Sequence, residues 1–204
     1  MRWLSAPALV VFLSGCATST GPPVQGLPAN FGVVEEGRLY RGAQPNAGEI
    51  ENLYRRGVKT IVRLNQRDLD MERSATSRIG IRLVEVPLNA RTVGTSKACV
   101  GVERAYQAIS DPMNWPVYVH CDHGRDRTGF LVGLYRERVQ GWTFAAVSEE
   151  LAAYGHDWKM RTLFPAISRS LADSDRACGG GLQPVLRTEK IVQSTGSFFE
   201  LAKP

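Results

Sequence analysis

Residues 116–140, PVYVHCDHGRDRTGFLVGLYRERVQ, decide the fold of this chain. The stretch opens with a short apolar run, PVYVH, which is typical of a buried strand. It closes with FLVGLYRERV, and the spacing of its apolar residues predicts a helix over 128–139. A short loop of charged residues and glycine joins the two. A strand that passes directly into a helix is a unit of α/β folds with a parallel sheet.

The same alternation of strands and helices extends outward from this stretch. Asn46 is a good N-cap with Glu49 at the third helical position, and Gly57 is expected to end that helix. We predict strands over 37–41, 58–64, 81–88 and 116–120, and helices over 47–56, 68–78, 97–110, 128–139, 143–154 and 159–171. The fold class is therefore α/β, a single domain whose mostly parallel central sheet has about four to five strands flanked by helices. Ligands of such sheets bind beyond the carboxyl ends of the strands.

The loop after the last predicted strand carries a specific motif. Cys121 is followed by five residues, then Arg127, Thr128 and Gly129, with His120 before the cysteine. This pattern resembles the signature of the cysteine-based protein tyrosine and dual-specificity phosphatases. The resemblance is strongest over 116–130 and looser over about 32–172, and it implies a dual-specificity phosphatase-like fold.

The spacing of the motif suits phosphate chemistry. Five residues let the backbone curl into a cup whose N–H groups bind phosphate oxygens, with the positive end of the following helix facing the same centre. We expect phosphate binding by Asp122, His123, Gly124, Arg125, Asp126 and Arg127. These donors favour the thiolate form of Cys121, which attacks phosphorus to form a cysteinyl-phosphate that water hydrolyses.

Two side chains of the motif assist that reaction. Arg127 supplies a bidentate grip on the phosphate, and Thr128 is expected to donate a hydrogen bond to the Cys121 sulfur. His120 is expected to orient the loop beneath the cysteine, whereas His123 is either a contact at the rim or a surface residue. No metal or other cofactor is predicted, because the amides and the arginine supply the electrostatic stabilisation.

The general acid is the part of the site in which the sequence departs from the resembled families. In the resembled families an Asp usually follows the preceding strand, but residues 86–92, VPLNART, contain no carboxylate. Asp111 precedes the strand that ends at His120, which places it at the wrong end of the sheet. Asp126 is the candidate, because the Asp-Arg-Thr sequence resembles that of myotubularin and Sac-type phosphoinositide phosphatases; the alternative is that it caps the helix or anchors the loop. Asp122 is a second choice.

Three arginines outside the cysteine–arginine pair could contribute at this edge. Arg41, in a segment that resembles the start of atypical members of the superfamily, either contacts a distal phosphate or pairs with a core carboxylate, and we favour the structural role. Arg91 and Arg125 lie in loops at the predicted catalytic edge and would favour a multiply charged substrate.

The amino terminus has the features of an export signal. Residues 1–15 combine Arg2 with an apolar run too short to span a bilayer, and Leu13-Ser14-Gly15-Cys16 resembles the lipobox of bacterial lipoproteins. We expect a signal peptide over 1–15, lipidated Cys16 with a flexible tether over 16–31, a catalytic domain over 32–178 and a tail over 179–204. The resemblance implies a lipoprotein anchored in the outer membrane and facing the periplasm.

Composition adds weaker limits. The net charge of +5 and the pI of about 9.2 suit an anionic ligand but are too modest to indicate nucleic acid. The four cysteines exclude a dense disulfide framework. Cys99 lies on the same edge as Cys121 and could pair with it or with Cys178, and spacing alone does not choose between these pairings.

The favoured function is hydrolysis of phosphomonoesters. The substrate remains open between phosphoproteins, phosphoinositides and inositol or other polyphosphates, with a slight preference for non-protein substrates. The alternatives are a non-catalytic phosphate-binding module on the same fold and sulfur transfer of the rhodanese type. The retained nucleophile Cys121 argues against the first, and the five-residue spacing with Thr128 argues against the second.

Overall fold

A computed structural model describes residues 25–66, 69–156 and 178. The strands in this part of the chain are β1 (Gly32–Glu35), β2 (Leu39–Ala43), β3 (Thr60–Arg63), β4 (Arg82–Glu85) and β5 (Val117–Cys121). The helices there are α1 (Ala47–Arg55), α2 (Leu69–Ile79), α3 (Cys99–Ser110), α4 (Asp126–Gln140) and α5 (Phe144–Ala153), with short 3₁₀ helices at Ser96–Ala98 and Pro112–Asn114. None of these helices is long and apolar enough to cross a membrane.

The strands form one sheet in the order β1-β2-β5-β3-β4. The β1–β2 pair is antiparallel, and every other pair in the sheet is parallel. The predicted α/β class with a mostly parallel sheet is therefore confirmed. Because β5 lies at the centre, Cys121 pairs in register with Ala43, and His120 pairs with Arg63. The carboxyl ends of three strands thus meet at Cys121, just before residues 122–127, which we call the phosphatase-like loop.

Helices cover both faces of the sheet, and the alternation of side chains along the strands decides which residue faces which layer. Tyr40, Ile61 and Tyr118 pack with α1 and α2 in one core cluster. Leu39 and Val119, one residue away on β2 and β5, pack in a second cluster formed with α3, α4 and α5. Apolar side chains on both faces explain why these strands are almost continuously hydrophobic.

The start of α1 matches its prediction closely. The Asn46 side chain accepts a hydrogen bond from the Glu49 N–H at 2.9 Å, and the Glu49 carboxylate accepts one from the Asn46 N–H at 2.8 Å. This capping box satisfies two N–H groups that the helix itself leaves without partners. The helix ends at Arg55, just before Gly57, whose φ of 88° suits glycine.

The structure differs from the sequence predictions at the amino-terminal boundary of the domain. Strand β1 was not predicted, and the tether expected over 16–31 extends too far, because its last residues are packed. The Phe31 ring stacks on Tyr40 at 5.9 Å between centroids, and Asn52 donates to the Gly26 carbonyl at 2.7 Å. The partial burial of Leu27 and Phe31 against the α1 side of the sheet explains why these residues pack on the domain. The predicted signal peptide, helix 159–171 and tail lie outside the described residues.

One disulfide links Cys99, the first residue of α3, to Cys178, with 5.2 Å between their Cα atoms. Among the described residues, Cys121 is the free cysteine. Of the two pairings that the sequence left open for Cys99, the structure therefore forms the one that spares the predicted nucleophile.

Candidate active site

Cys121 ends the central strand, and the loop that follows it turns back against the neighbouring strand. The cysteine is 3% exposed. Gly124 has φ of 69°, and a Cβ at this position would lie 2.7 Å from the backbone nitrogen of Ala43. Only glycine combines that backbone conformation with so close an approach. The curled loop of the motif therefore depends on Gly124, and α4 begins two residues later at Asp126.

Arg41 contacts the phosphatase-like loop from the interior of the domain. Its side chain is fully buried, and its Nη2 atom donates to the Gly124 carbonyl at 2.8 Å. The guanidinium lies 3.6 Å from the centre of the Tyr154 ring and 3.8 Å from the Glu150 carboxylate. Burial lowers the pKa of Arg41, and the negative charge of Glu150 opposes that effect. Of the two roles considered for Arg41, the structure shows the structural one.

His120 lies in a buried polar cluster behind the cysteine. Its Nε2 atom is 2.8 Å from the Glu72 carboxylate, which is also 3.3 Å from Nη1 of Arg63. The Nδ1 atom of His120 lies 3.4 Å from the Cys121 carbonyl oxygen. These contacts hold the end of β5 in place, and the supporting role of His120 stays a prediction.

Glu72 is a functional neighbour that the sequence prediction missed. The sequence predicts a helix over 68–78 but no role for its acidic residues, yet the Glu72 side chain is fully buried. Arg63 and His120 both lie inside apolar strands, and a buried charged or polar side chain requires a partner. That requirement is the signal from which Glu72 could have been found, because α2 lies between these two strands in the chain and carries the carboxylates Asp70 and Glu72.

Arg127 contacts the first residue of the loop. Its Nη2 atom donates to Oδ2 of Asp122 at 2.5 Å, and its Nη1 atom lies 3.3 Å from the carbonyl oxygens of Leu64 and Leu88. The other Asp122 oxygen accepts a hydrogen bond from the Asn65 amide at 2.7 Å. The arginine predicted to grip phosphate is thus held by a carboxylate of the same loop.

The two partners of Asp122 also affect its ionisation. Partial burial raises the pKa of this carboxyl, but the hydrogen bonds from Asn65 and Arg127, together with the positive charge of Arg127, outweigh burial. The net result is a pKa below the usual range for an aspartate, so Asp122 is ionised at neutral pH when the site holds no phosphate.

A pocket of about 200 Å³ lies beside this ion pair. Its lining residues are Gln66, Leu88, Asn89, Ala90, Asp122 and Arg127. The lining residues come from the loop that follows β3, the loop that follows β4 and the phosphatase-like loop. The pocket therefore lies at the carboxyl ends of the strands, where the fold predicts a ligand.

Asp126, the sequence candidate for the general acid, has a different partner. Its Oδ1 atom lies 2.6 Å from Nδ1 of His156, whose side chain is 1% exposed. Asp126 is not among the residues that line the pocket. The contact with His156 matches the alternative role, in which Asp126 anchors the loop. No role for His156 is predicted from the sequence, because no local pattern connects it to Asp126, 30 positions earlier.

Thr128 departs from its prediction. The residue is fully buried, and within the described part of the chain its hydroxyl has no hydrogen-bond partner. The expected bond from Thr128 to the Cys121 sulfur is therefore not formed. A buried hydroxyl with an unused donor is uncommon, and here it belongs to the first turn of α4 next to Arg127.

Three cationic or titratable side chains remain exposed at this edge. They are His123, Arg125 and Arg91. The backbone of His123 is tied to the domain, because its carbonyl accepts a hydrogen bond from Asn30 at 2.8 Å. The described residues contain no cluster of three or more His, Cys, Asp or Glu side chains suited to a metal ion.

Several known proteins are similar to this chain in sequence and in fold. A dual specificity protein phosphatase, TpbA of Pseudomonas aeruginosa, is 36% identical over 125 residues, which cover 60% of this chain and 55% of that protein. The inositol diphosphatase DSP3 of Arabidopsis thaliana is 30% identical over 139 residues, covering 67% of this chain and 68% of that protein. The chain thus spans about half the length of the first of these relatives.

Solved structures extend the comparison. The crystal structure of P. aeruginosa TpbA superposes with a TM-score of 0.59 and 30% identity, covering 74% of this chain and 91% of that one. The catalytic domain of the PP-IP phosphatase SIW14 from S. cerevisiae superposes with a TM-score of 0.57 at 24% identity, and that likeness concerns the fold alone.

The family model described as "Tyrosine phosphatase family" matches residues 27–165. That range includes the sheet, the loop after Cys121 and the helices on both faces. The chain belongs to the tyrosine phosphatase family.

Proposed function

We propose that this protein is a cysteine-dependent phosphatase that hydrolyses phosphomonoesters through a cysteinyl-phosphate. The observation that carries the proposal is the free Cys121 at the carboxyl end of the central strand, followed by a glycine-dependent loop that returns Arg127 to the same edge. The family resemblance of the motif and the membership of the chain support it.

In the first step, the Cys121 thiolate attacks phosphorus in line with the leaving oxygen. The sulfur–phosphorus bond forms, and the bond between phosphorus and the leaving oxygen breaks, with its electron pair staying on that oxygen. Arg127 and the N–H groups at the start of α4 stabilise the charge on the transferred phosphoryl group. Arg127 has to give up at least part of its contact with Asp122 to do so.

In the second step, water attacks the phosphorus atom of the cysteinyl-phosphate. The sulfur–phosphorus bond breaks and returns its electron pair to Cys121, which leaves the free thiolate and inorganic phosphate. Thr128 remains our proposed donor to the departing sulfur, and its unused buried hydroxyl is available for that bond. His120, held by Glu72, keeps the end of β5 in place during both steps.

For the substrate, we infer a phosphoprotein side chain or an inositol phosphate. The names of the relatives cover both classes, and one P. aeruginosa TpbA structure is a complex with pTyr. The exposed Arg91 and Arg125 support a substrate that carries more than one phosphate, because Arg91 follows the pocket-lining Ala90 and Arg125 lies in the same loop as Asp122. An Arg91→Ala/Arg125→Ala variant should lose more activity on an inositol polyphosphate than on p-nitrophenyl phosphate, whereas Arg55→Ala on the exposed face of α1 should affect neither.

One assay distinguishes catalysis from phosphate binding without catalysis. Wild-type protein should release phosphate from p-nitrophenyl phosphate, and Cys121→Ser should not. Both proteins should still bind vanadate or phosphate, because the loop and Arg127 are intact in the variant. Equal inactivity of the two proteins would remove the catalytic claim and leave a binding module.

We further propose that the protein is an exported lipoprotein, anchored through Cys16 in the outer membrane and facing the periplasm. The apolar run before Leu13-Ser14-Gly15-Cys16 supports this location. Expressed in a Gram-negative host, the full chain should partition into the outer-membrane fraction, and Cys16→Ala should abolish lipid labelling. A full chain that stays in the cytosolic fraction would contradict the proposal.

A further inference from the structure

We propose that Asp122 is the general acid and base of this phosphatase, and that the same carboxylate occupies Arg127 until substrate arrives. The inference rests on the proposed function and assigns the proton transfers that it leaves open. It follows from where the structure places the two aspartates of the loop and from what each one contacts.

Position favours Asp122. Among the described residues that line the pocket, Asp122 is the one that carries a carboxylate, and the rest are Gln66, Leu88, Asn89, Ala90 and Arg127. Its side chain is 30% exposed and that of Asp126 is 28% exposed, so solvent access is similar and the partners of the two carboxylates distinguish them. The lining includes neither Asp126 nor Cys121, but the Asp126 carboxylate is bound to the buried His156, whereas the Asp122 carboxylate is bound to Arg127.

Charge explains how Asp122 could hold a proton at the moment of reaction. In the free site its carboxylate is stabilised by hydrogen bonds from Arg127 and the Asn65 amide, and the neighbouring His123 acts in the same direction. A phosphate dianion takes over Arg127 and adds negative charge beside Asp122. Both changes favour the protonated carboxyl group, because a carboxylate gains from a nearby cation and loses from a nearby anion. Substrate binding would therefore load Asp122 with a proton.

The proton balance then closes. In the first step, the Asp122 carboxyl group gives its proton to the leaving oxygen as the bond to phosphorus breaks, so the alcohol departs neutral. In the second step, the Asp122 carboxylate accepts a proton from the attacking water. Inorganic phosphate leaves, Asp122 releases its proton to solvent, and Arg127 returns to the Asp122 carboxylate.

The test compares leaving groups. Asp122→Asn keeps the size of the side chain and its acceptor for Asn65 but has no proton to give. Its kcat on phenyl phosphate should fall about 100-fold or more, as expected for loss of an acid catalyst, and its kcat on p-nitrophenyl phosphate should fall much less. The alkaline limb of the wild-type kcat profile on phenyl phosphate, where Asp122 loses the proton that it has to donate, should disappear in the variant.

Two matched variants serve as comparators. Asp126→Asn removes the other loop carboxylate, and Asp68→Asn removes the carboxylate that follows the pocket-lining Gln66 by two positions in the sequence. Neither should show the difference between the two leaving groups. If the difference appears in either comparator instead of Asp122→Asn, the assignment is wrong.

Further outcomes are also decisive. Equal slowing of both substrates by Asp122→Asn would make Asp122 a residue that positions Arg127 and would overturn the inference, as would unchanged kinetics. Wild-type protein that fails to turn over either ester would instead refute the proposed function itself, and the assignment of Asp122 would fall with it. Circular dichroism of each variant checks that the fold is retained.

Discussion

Gly124 shows how a single backbone conformation positions the phosphatase-like loop. Its positive φ and its approach to the backbone of Gly42 and Ala43 leave no room for a side chain. Gly37 in the turn between β1 and β2 has a similar φ of 72°, but a Cβ there would meet nothing within 4 Å. The two glycines separate the effect of conformation from the effect of contact.

We therefore expect Gly124→Ala to abolish most activity. The added methyl group must push the loop away from β2, and a displacement of about 1 Å in a catalytic group lowers the rate about 100-fold. Gly37→Ala should retain wild-type kcat/KM on p-nitrophenyl phosphate. It should lose only about 1–2 kcal/mol of stability, because the left-handed backbone conformation alone is unfavourable for alanine there. Equal activity in the two variants would show that the close approach at Gly124 does not shape the loop.

Asp122 makes a separate prediction about anion affinity. Because its lowered pKa keeps the carboxylate ionised in the free enzyme, phosphate has to compete with it for Arg127 at neutral pH. An ion pair of this partly exposed kind contributes up to about 1 kcal/mol, or about fivefold in affinity. Inorganic phosphate should therefore inhibit Asp122→Asn more strongly than wild type, and the sign of the pH effect follows. The advantage of the variant should shrink as the pH falls, because proton uptake by Asp122 on phosphate binding becomes easier, and should disappear once Asp122 is protonated in the free protein, below the usual aspartate pKa of about 3.9. Weaker inhibition of the variant at pH 7 would contradict the competition.

At the scale of elements, α2 is attached to the sheet by a buried charge. Glu72 reaches Arg63 on β3 and His120 on β5, and both of its partners are fully buried. Asp70, two residues earlier on the same helix, is exposed. The helix therefore has one acidic residue that is essential to packing and another that is not.

Glu72→Gln should lower the free energy of unfolding by about 3–5 kcal/mol, because it leaves the Arg63 charge buried without its carboxylate. Asp70→Asn should change it by less than about 0.5 kcal/mol, as surface substitutions usually do. Urea denaturation at pH 7 measures both. A loss of less than 1 kcal/mol for Glu72→Gln would mean that the buried pair does not hold α2 in place.

These elements show what the sequence predicts and what it leaves out. The α1 cap was predictable because Asn46 and Glu49 are neighbours in the chain. Strand β1 was missed, since four residues are too few for a clear period. The contacts of Glu72 with His120 and of Asp126 with His156 join residues 48 and 30 positions apart, which only the folded chain brings together.

At the scale of the whole molecule, the disulfide ties a distant segment to the catalytic domain. Cys178 packs against the core cluster that contains α3 and α4 and is linked to Cys99, 79 residues away in sequence. Closing a loop of that length removes freedom from the unfolded chain, which the chain-entropy model values at about 4 kcal/mol. Since Cys121 stays free, the bond stabilises the fold without using the nucleophile.

A Cys99→Ser/Cys178→Ser variant should lose about 2–4 kcal/mol of stability and keep its activity at 25 °C. Reduced wild-type protein should unfold at the same urea concentration as the variant. If the oxidised wild type and the variant are equally stable, the disulfide does not contribute to the fold. If the variant is well folded but inactive, residues 99 and 178 serve the site more directly than we infer.

The central claim of this account is that phosphate passes through Cys121. Rapid quenching during turnover of radiolabelled p-nitrophenyl phosphate, followed by peptide mapping, tests it most directly. The account predicts label on the peptide that contains Cys121 in wild type, with neither label nor turnover in Cys121→Ser. Label on a different residue, or turnover by Cys121→Ser at the wild-type rate, would contradict it.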